Sequence, residues 1–172
     1  MTGQPGARPD SPFDPKIIIA SIAATAFGVY TGIHFVIPTI FAVALMFITR
    51  KLFPENRRRY IVLFSLQAAH ALWLCVALFS PSAQAVVIDV VLVSGLLTWL
   101  LMRPGKAPLY ALAVYQLISL YINTAGLFAV ELNTPAHKAL LVHVLYRVLA
   151  LTYIAIALFG LHRDEKRNTA VG

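Results

Sequence analysis

The sequence predicts an all-α membrane protein, a polytopic bundle of transmembrane helices with five spans, and three observations lead to this prediction. Of the 172 residues, 59% are hydrophobic and only 12% are charged, whereas about a quarter are charged in a typical soluble domain. The charged residues separate long apolar stretches, as a hydrocarbon core about 30 Å thick requires. These stretches also lack the alternation of apolar and polar residues that is typical of a membrane β-barrel.

The chain divides into a polar tail, a helical bundle and a charged tail. Residues 1–16 are polar and rich in Pro and Gly, which predicts a flexible segment. They do not resemble a signal peptide, because the apolar stretch that follows is too long and has no clear small-residue cleavage site. Residues 17–161 contain the transmembrane helices, and residues 162–172 form the charged tail. The only cysteine, Cys75, excludes an internal disulfide and a cluster of cysteine ligands.

Four segments predict single spans, because each is close to the roughly 20 residues that a helix needs to cross a bilayer. They are Tyr60–Phe79, Gln84–Met102, Ala107–Val130 and Ala139–Leu161. Short loops that contain Pro or Gly separate them, and these residues are typical of helix ends.

The first apolar stretch, residues 17–49, would be roughly 50 Å long as one helix, too long for one upright span. Pro38 removes a backbone donor and predicts a weak point near His34. Two alternatives remain. One helix kinks at Pro38, with its N-terminal turns beyond the bilayer or in its interface, which gives five spans. Otherwise two short helices form a hairpin that turns near Tyr30–His34, which gives six.

A row of small residues favours the kinked helix. The row recurs every four residues and consists of Ala20, Ala24, Gly28 and Gly32. Such spacing lets two helix backbones approach closely, so it predicts a continuous face packed against a neighbour. The neighbour could belong to a second copy of the chain or to a partner membrane subunit.

The positive charges predict the orientation. Residues 50–59, residues 103–106 and the residues after Leu161 account for the whole formal net charge of +7. Lys and Arg collect on cytoplasmic loops, so we expect a multi-pass protein of the bacterial plasma (inner) membrane with its C-terminus in the cytoplasm. The N-terminus would lie outside with five spans and inside with six. Arg57, Arg58 and Arg59 are expected to contact anionic lipid headgroups, and no nucleic-acid partner is expected.

Polar residues within the spans are candidates for function, because an ionisable side chain in hydrocarbon costs several kcal/mol unless it is paired or faces water. Four of them, from four different stretches, fall at a similar depth, roughly 21–25 Å above the inner interface at 1.5 Å per residue: His34, Asp89, Asn123 and Arg147. Two more lie roughly 15 Å above that interface: His70 and Gln116.

These depths predict a polar pocket in the outer half of the bilayer, serving as a ligand site or proton pathway. We expect it to be open to the outside and lined by Asp89, Asn123, His143 and Arg147, with His70 and Gln116 beneath them. Asp89 and Arg147 are expected to pair, since each would otherwise be a lone charge in hydrocarbon. The amide side chains could instead serve as hydrogen bonds between helices.

Three classes of function fit this pattern. The first is a small carrier or channel that uses the polar pocket. The second is an accessory or scaffold subunit of a larger membrane complex. The third is a haem or redox protein that uses His34, His70 and His143, because neutral imidazole is a good ligand for iron. Only this third class calls for a cofactor, haem; no metal or other cofactor is expected.

An enzyme is not expected, although the sequence does not exclude one. The chain has no Gly-x-Ser-x-Gly, no His-Glu-x-x-His and no glycine-rich phosphate loop. It has one carboxylate well inside a span, Asp89, so chemistry with two carboxylates would have to use Glu131 near the outer edge.

Overall fold

The computed structural model describes residues 15–77 and 83–171, and within these ranges the chain is helical without strands. Its six α-helices are α1 (Pro15–Thr31), α2 (Ile33–Leu52), α3 (Ile61–Ala77), α4 (Ala83–Met102), α5 (Lys106–Ala129) and α6 (Pro135–Val171). A 3-10 helix, Glu55–Tyr60, connects α2 to α3. Most of the predicted flexible segment, residues 1–14, and the loop between α3 and α4 lie outside the described residues.

Four described helices are long and apolar enough to cross a membrane. They are Ile33–Leu52, Arg57–Val76, Lys106–Ala129 and Pro135–Arg167. Two shorter apolar helical stretches, Ile22–Thr31 and Val86–Met102, accompany them. The predicted class, an all-α protein with helices fit to span a membrane, therefore agrees with the structure.

The first apolar stretch is interrupted at Gly32 and not at Pro38. The break lies within Tyr30–His34, where the alternative with two helices places its turn, and the number of spans stays a prediction. Gly32 has a positive φ of 61° between α1 and α2, a conformation that glycine adopts at little cost because it has no Cβ. Pro38 is buried inside α2. Its missing N–H removes only a bond to the carbonyl of His34, in the first turn of that helix, where the loss disturbs little of the helix.

Where the structure describes its side chains, the row of small residues does not form one continuous face packed against a neighbouring helix, and only Gly28 contacts α2. Ala24 is exposed, and a Cβ added at Gly32 would meet no atom within 4 Å. A Cβ at Gly28 would lie 3.3 Å from the ring of Phe35, which folds back across the break. The side chain of Ala20 lies outside the described residues. The close packing on a neighbour therefore stays a prediction about a partner.

The helices pack around α3 and α6. Along the bundle, α5 packs against α6 and α2 against α3, while α3 also contacts α4 and α6. Aliphatic side chains that are almost fully buried form the core: Leu63, Val93, Leu97, Leu100, Leu109, Leu112 and Ile154. Apolar residues also cover the outside of the bundle, as expected for helices that face lipid.

The three basic segments meet at one end of the bundle. Arg59 pairs with Asp164 at 2.8 Å, and Lys106 pairs with Glu165. The Nη1 of Arg57 donates to the carbonyl of Leu101 at 2.6 Å. These contacts are possible because α6 continues as a helix through the charged tail to Val171. We call this end, with the loops after α2 and α4 and the last turns of α6, the basic end.

Candidate functional site

A buried network of polar side chains connects four helices. Arg147 on α6 is only 1% exposed. Its Nη2 donates to Oδ2 of Asp89 on α4 at 2.6 Å, and its Nη1 donates to Oε1 of Gln116 on α5 at 3.1 Å. The hydroxyl of Tyr115 donates to the other oxygen of Asp89, and Nε2 of Gln116 donates to Oε1 of Gln67 on α3. The predicted pairing of Asp89 with Arg147 is therefore confirmed.

The network compensates the positive charge of Arg147 in two ways. Asp89 supplies the opposite charge through a direct hydrogen bond. The guanidinium carbon also lies 5.0 Å from the centre of the Tyr115 ring, within range of a favourable cation–π interaction. Gln116 and Gln67 are fully buried, and one hydrogen bond joins them, while Nε2 of Gln67 is buried without a partner among the described residues. The arrangement holds an ion pair inside the bundle without leaving a net charge there.

Two histidines form a direct hydrogen bond beside this network. Nε2 of His70 on α3 lies 2.8 Å from Nδ1 of His143 on α6. One of these nitrogens must carry a hydrogen and the other must accept it. The second ring nitrogen of His70, Nδ1, is buried and has no hydrogen-bond partner among the described residues.

A groove of about 660 Å³ opens between α4 and α5, with residues of α3 and α6 at its base. We call it the α4–α5 groove. Its polar side chains are Asp89, Tyr115, Ser119, Asn123 and His143. Its remaining lining is aliphatic and consists of Leu74, Val86, Ile88, Leu92, Leu96, Ala111, Val114, Ile118, Ile122 and Leu140. Several of these aliphatic residues are exposed on the outer surface of the bundle, so the groove opens sideways, where the spans would face lipid.

Asp89, Asn123 and His143 lie in the part of the groove away from the basic end, but aliphatic residues such as Val86, Ile88 and Ile122 line that part as well. On α5, Asn123 lies far from the basic end and Ala111 lies near it, since this helix starts at Lys106. On α4, which ends at Met102, Asp89 lies far from the basic end and Leu96 lies nearer to it. We call the part away from the basic end the polar half, although aliphatic side chains line it too, and the part toward the basic end the aliphatic half.

The structure brings together most of the residues that the sequence indicated. Asp89, Asn123 and His143 line the groove, while Arg147 and Gln116 lie buried behind Asp89. His34 is not bonded to this group, and its ring packs edge-on against Trp73 with the centroids 6.1 Å apart. Whether any of them binds a ligand or moves a proton stays a prediction.

The two layers expected from the sequence are joined by direct hydrogen bonds in the structure. Arg147 bonds directly to Gln116, and His143 bonds directly to His70. The depths were counted for upright helices from a basic residue at the end of each span. That count ignores helix tilt and the length of the arginine and glutamine side chains, which bridge such differences.

Comparisons with protein families, with curated proteins and with solved structures found no match for this chain. The proposed function therefore rests on the geometry of the site.

Sequence reasoning missed Tyr115, which both bonds to Asp89 and lines the groove. The spacing of Tyr115 along the sequence indicates that it belongs to the polar face of α5. Tyr115 lies four residues before Ser119 and eight before Asn123, so it shares their face of α5. It was overlooked because tyrosines in membrane helices are typical of interfaces and of packing.

The facing histidines bear on the haem hypothesis. A metal ion lies about 2.0–2.1 Å from each imidazole nitrogen that binds it. Two axial ligands on opposite sides of a haem iron would therefore be about 4 Å apart. The 2.8 Å between Nε2 of His70 and Nδ1 of His143 is a hydrogen-bond distance and is too short for that arrangement. Among the residues described, His, Cys, Asp and Glu side chains form no group of three or more that could hold a metal ion. A haem between these two nitrogens would require the rings to separate.

A second, smaller cavity of about 190 Å³ lies among α2, α3 and α6. The hydroxyls of Thr39 and Tyr146 are 3.2 Å apart at its wall, and Ser65 also lines it. Ser65 in turn lies 3.1 Å from Thr49, near the basic end. These hydroxyl pairs fasten α2 to α6 and to α3.

Proposed function

We propose that the protein is a small membrane carrier that holds a lipid-soluble molecule in the α4–α5 groove. The observation that supports this is the groove itself, which has a polar half and an aliphatic half and opens toward the lipid side of the bundle. Ligand sites are typically concave and largely apolar, with a few polar groups that orient the ligand. The groove, at about 660 Å³, lies within the usual range of 300–1,000 Å³ for such sites.

A carrier fits this interior better than a channel. The space between α3, α4, α5 and α6 is filled by the network around Arg147, whose members Gln67 and Gln116 are fully buried. A channel needs a continuous polar path, and in the described bundle the groove instead ends against these side chains. The direction of opening also differs from the expected pocket, since the groove faces lipid instead of the outer aqueous phase.

The proposed topology has five spans, α2 to α6, with the basic end in the cytoplasm. Lys and Arg concentrate on the cytoplasmic side of bacterial inner-membrane proteins. Helix α1 then lies outside or in the outer interface, because the break at Gly32 is at the end of α2 opposite to Arg50 and Lys51. By helical rise along an upright α5, Asn123 would lie roughly 25 Å above the inner interface, so in this proposal the polar half of the groove lies in the outer half of the bilayer.

The alternative is a subunit of a larger membrane complex. The observation that favours it is that the same aliphatic rim of the groove is exposed, as is Ala24 on α1. A helix of a partner subunit could cover these surfaces. The two hypotheses differ in what occupies the groove, a small molecule or a protein helix.

Photolabelling of the purified full chain in lipid nanodiscs tests the carrier hypothesis. The probe is a 12-carbon methyl ketone with a diazirine in its chain and a terminal alkyne. We expect labelled peptides to come from α4 and α5, and we expect Ile118→Trp, which fills the groove, to lower this labelling several-fold. Ile156→Trp on α6 is the matched control, because Ile156 is 59% exposed and Ile118 is 57% exposed, but only Ile118 lines the groove.

Two outcomes would contradict the carrier hypothesis. In the first, labelling is spread evenly over all lipid-facing helices and is equal in both variants. This would mean that the probe labels the protein from the surrounding lipid and does not bind at a site. A stoichiometric partner subunit that is lost in Ile118→Trp but kept in Ile156→Trp would favour the complex subunit. Leu92→Trp, on the opposite wall of the groove, repeats the test should Ile118→Trp fail to give monodisperse protein.

A further inference from the structure

We infer that the molecule held in the α4–α5 groove is uncharged and carries a carbonyl head, whose oxygen accepts hydrogen bonds from His143 and Asn123. This inference rests on the proposed function and specifies its substrate class. Three features of the polar half support it: its charge balance, the hydrogen-bonding state of the two histidines, and the unused amide of Asn123.

The charge balance favours an uncharged head. Asp89 is the carboxylate in the groove, and it already accepts hydrogen bonds from Arg147 and from Tyr115. A cationic head would have to compete with Arg147 for that carboxylate. An anionic head would meet Asp89 at close range without a free cation among the residues that line the groove. Either charge would be costly at this depth in the membrane.

The histidine pair supplies a donor to the groove. If Nδ1 of His143 carried the hydrogen, Nδ1 of His70 would also carry one and would be a buried N–H without a partner. Buried N–H groups without partners are rare in proteins, while buried acceptors without a donor are tolerated more often. We therefore assign the hydrogen of the shared bond to Nε2 of His70. His143 then carries its own hydrogen on Nε2, which has no partner among the described residues.

Asn123 offers a second donor on the same side. Its side chain lines the groove and forms no hydrogen bond with any described residue. Its amide nitrogen has two hydrogens to donate. A carbonyl oxygen has two lone pairs and can accept from two donors at once. The two free donors of His143 and Asn123 therefore match one carbonyl oxygen.

The aliphatic half of the groove fits a hydrocarbon tail. From Asn123 to Ala111 the groove follows α5 for about 18 Å, at 1.5 Å per residue. The tail would point toward the basic end and the carbonyl away from it. If the basic end is cytoplasmic, this is the orientation of a molecule in the outer leaflet, with its head a few ångströms below the interface. A head at that depth is itself expected to be uncharged, because charged headgroups remain at the surface.

Competition against the photoprobe tests this inference. The competitors share a 12-carbon chain and differ in the head: 2-dodecanone, dodecane, dodecanoate and the dodecylammonium ion. We expect 2-dodecanone to compete about tenfold better than dodecane, and both ions to compete no better than dodecane. A dodecylammonium ion or a dodecanoate that competes as well as the ketone would overturn the inference.

Substitutions at the two donors make the test specific. His143→Phe and Asn123→Leu are each expected to reduce the advantage of 2-dodecanone over dodecane about fivefold. His143→Gln keeps an N–H near the position of Nε2 and should retain the advantage. His34→Phe, outside the groove, is the control for loss of a histidine.

The failure of this inference is distinguishable from the failure of the proposed function. If Ile118→Trp abolishes labelling but the head of the competitor makes no difference, the groove binds an apolar molecule and the carbonyl assignment is wrong. If neither the ketone probe nor a 12-carbon hydrocarbon with the same diazirine and alkyne labels the groove, the carrier hypothesis itself is wrong.

Discussion

The substitution Asp89→Asn is expected to destabilise the bundle severely, and a second substitution, Arg147→Met, should restore much of the lost stability. In the single variant the guanidinium of Arg147 remains buried without its counter-charge and keeps only the hydrogen bond to Gln116 and a weaker bond to the new amide. Breaking a buried pair by removing one partner costs about 3–5 kcal/mol.

The other changes follow from the same contacts. Arg147→Met alone leaves the carboxylate of Asp89, which is 29% exposed and still accepts a hydrogen bond from Tyr115. It also leaves Oε1 of Gln116 without a donor. We therefore expect the free energy of unfolding to fall by about 2–4 kcal/mol. In the double variant no charge remains, and the loss reduces to the unpaired Gln116 oxygen, about 1–3 kcal/mol. The double variant should therefore be more stable than Asp89→Asn by about 2 kcal/mol.

Thermal unfolding of the full chain in one detergent measures these differences. For a chain of this length, 1 kcal/mol corresponds to a shift in Tm of about 2–4 °C. We expect Tm to fall by about 6–20 °C in Asp89→Asn and to rise again by several degrees when Arg147→Met is added. If the Tm loss of the double variant equals the sum of the two single losses, Asp89 and Arg147 do not act as a pair, and the reasoning is refuted.

Two further predictions concern topology and the break between α1 and α2. The topology can be tested in a Cys75→Ser background with a membrane-impermeant maleimide. A cysteine in place of Glu55 should react only after cells are opened, and a cysteine in place of Leu132 should react in intact cells. The reverse pattern would mean that the basic end lies outside. Gly32→Ala should lower stability by about 1–3 kcal/mol, because Gly32 has a φ of 61° and a ψ of −135°, a region that residues with a Cβ adopt only under strain. Gly95→Ala is the control, because Gly95 lies inside α4 and a Cβ there meets no atom within 4 Å. Equal Tm values for the two variants would show that the break does not depend on glycine.

The sequence predicted the helical class and the central ion pair for physical reasons that need no tertiary information. Long apolar stretches nearly free of charge leave helices as the way to satisfy backbone polar groups in lipid. Only a few charges remain within those stretches, and Asp89 and Arg147 are of opposite sign at similar depth. Because a lone charge in hydrocarbon is so unfavourable, their pairing followed almost by elimination.

The details that the sequence did not predict depend on how the helices tilt and rotate against each other. Helical rise gives the depth of a Cα atom but not the reach of its side chain, so the bonds from Arg147 to Gln116 and from His143 to His70 were not foreseen. One of the two alternatives placed a turn near Tyr30–His34, where the break at Gly32 occurs, but the row of small residues favoured one helix kinked at Pro38. The use of a positive φ at Gly32 depends on the packing of Phe35 against α1, which the sequence does not show.

The role of Asp89 links the stability of the bundle to the chemistry of the groove. Its carboxylate is part of the groove wall, yet both of its oxygens already accept hydrogen bonds, from Arg147 and from Tyr115. A carboxylate used in this way stabilises the packing of α4 against α5 and α6 and, at the same time, leaves the polar half of the groove without net charge. The free hydrogen-bond donors that we infer in the groove, those of His143 and Asn123, belong to uncharged side chains. The ion pair, by satisfying its own charges, therefore agrees with our inference that the groove holds an uncharged molecule.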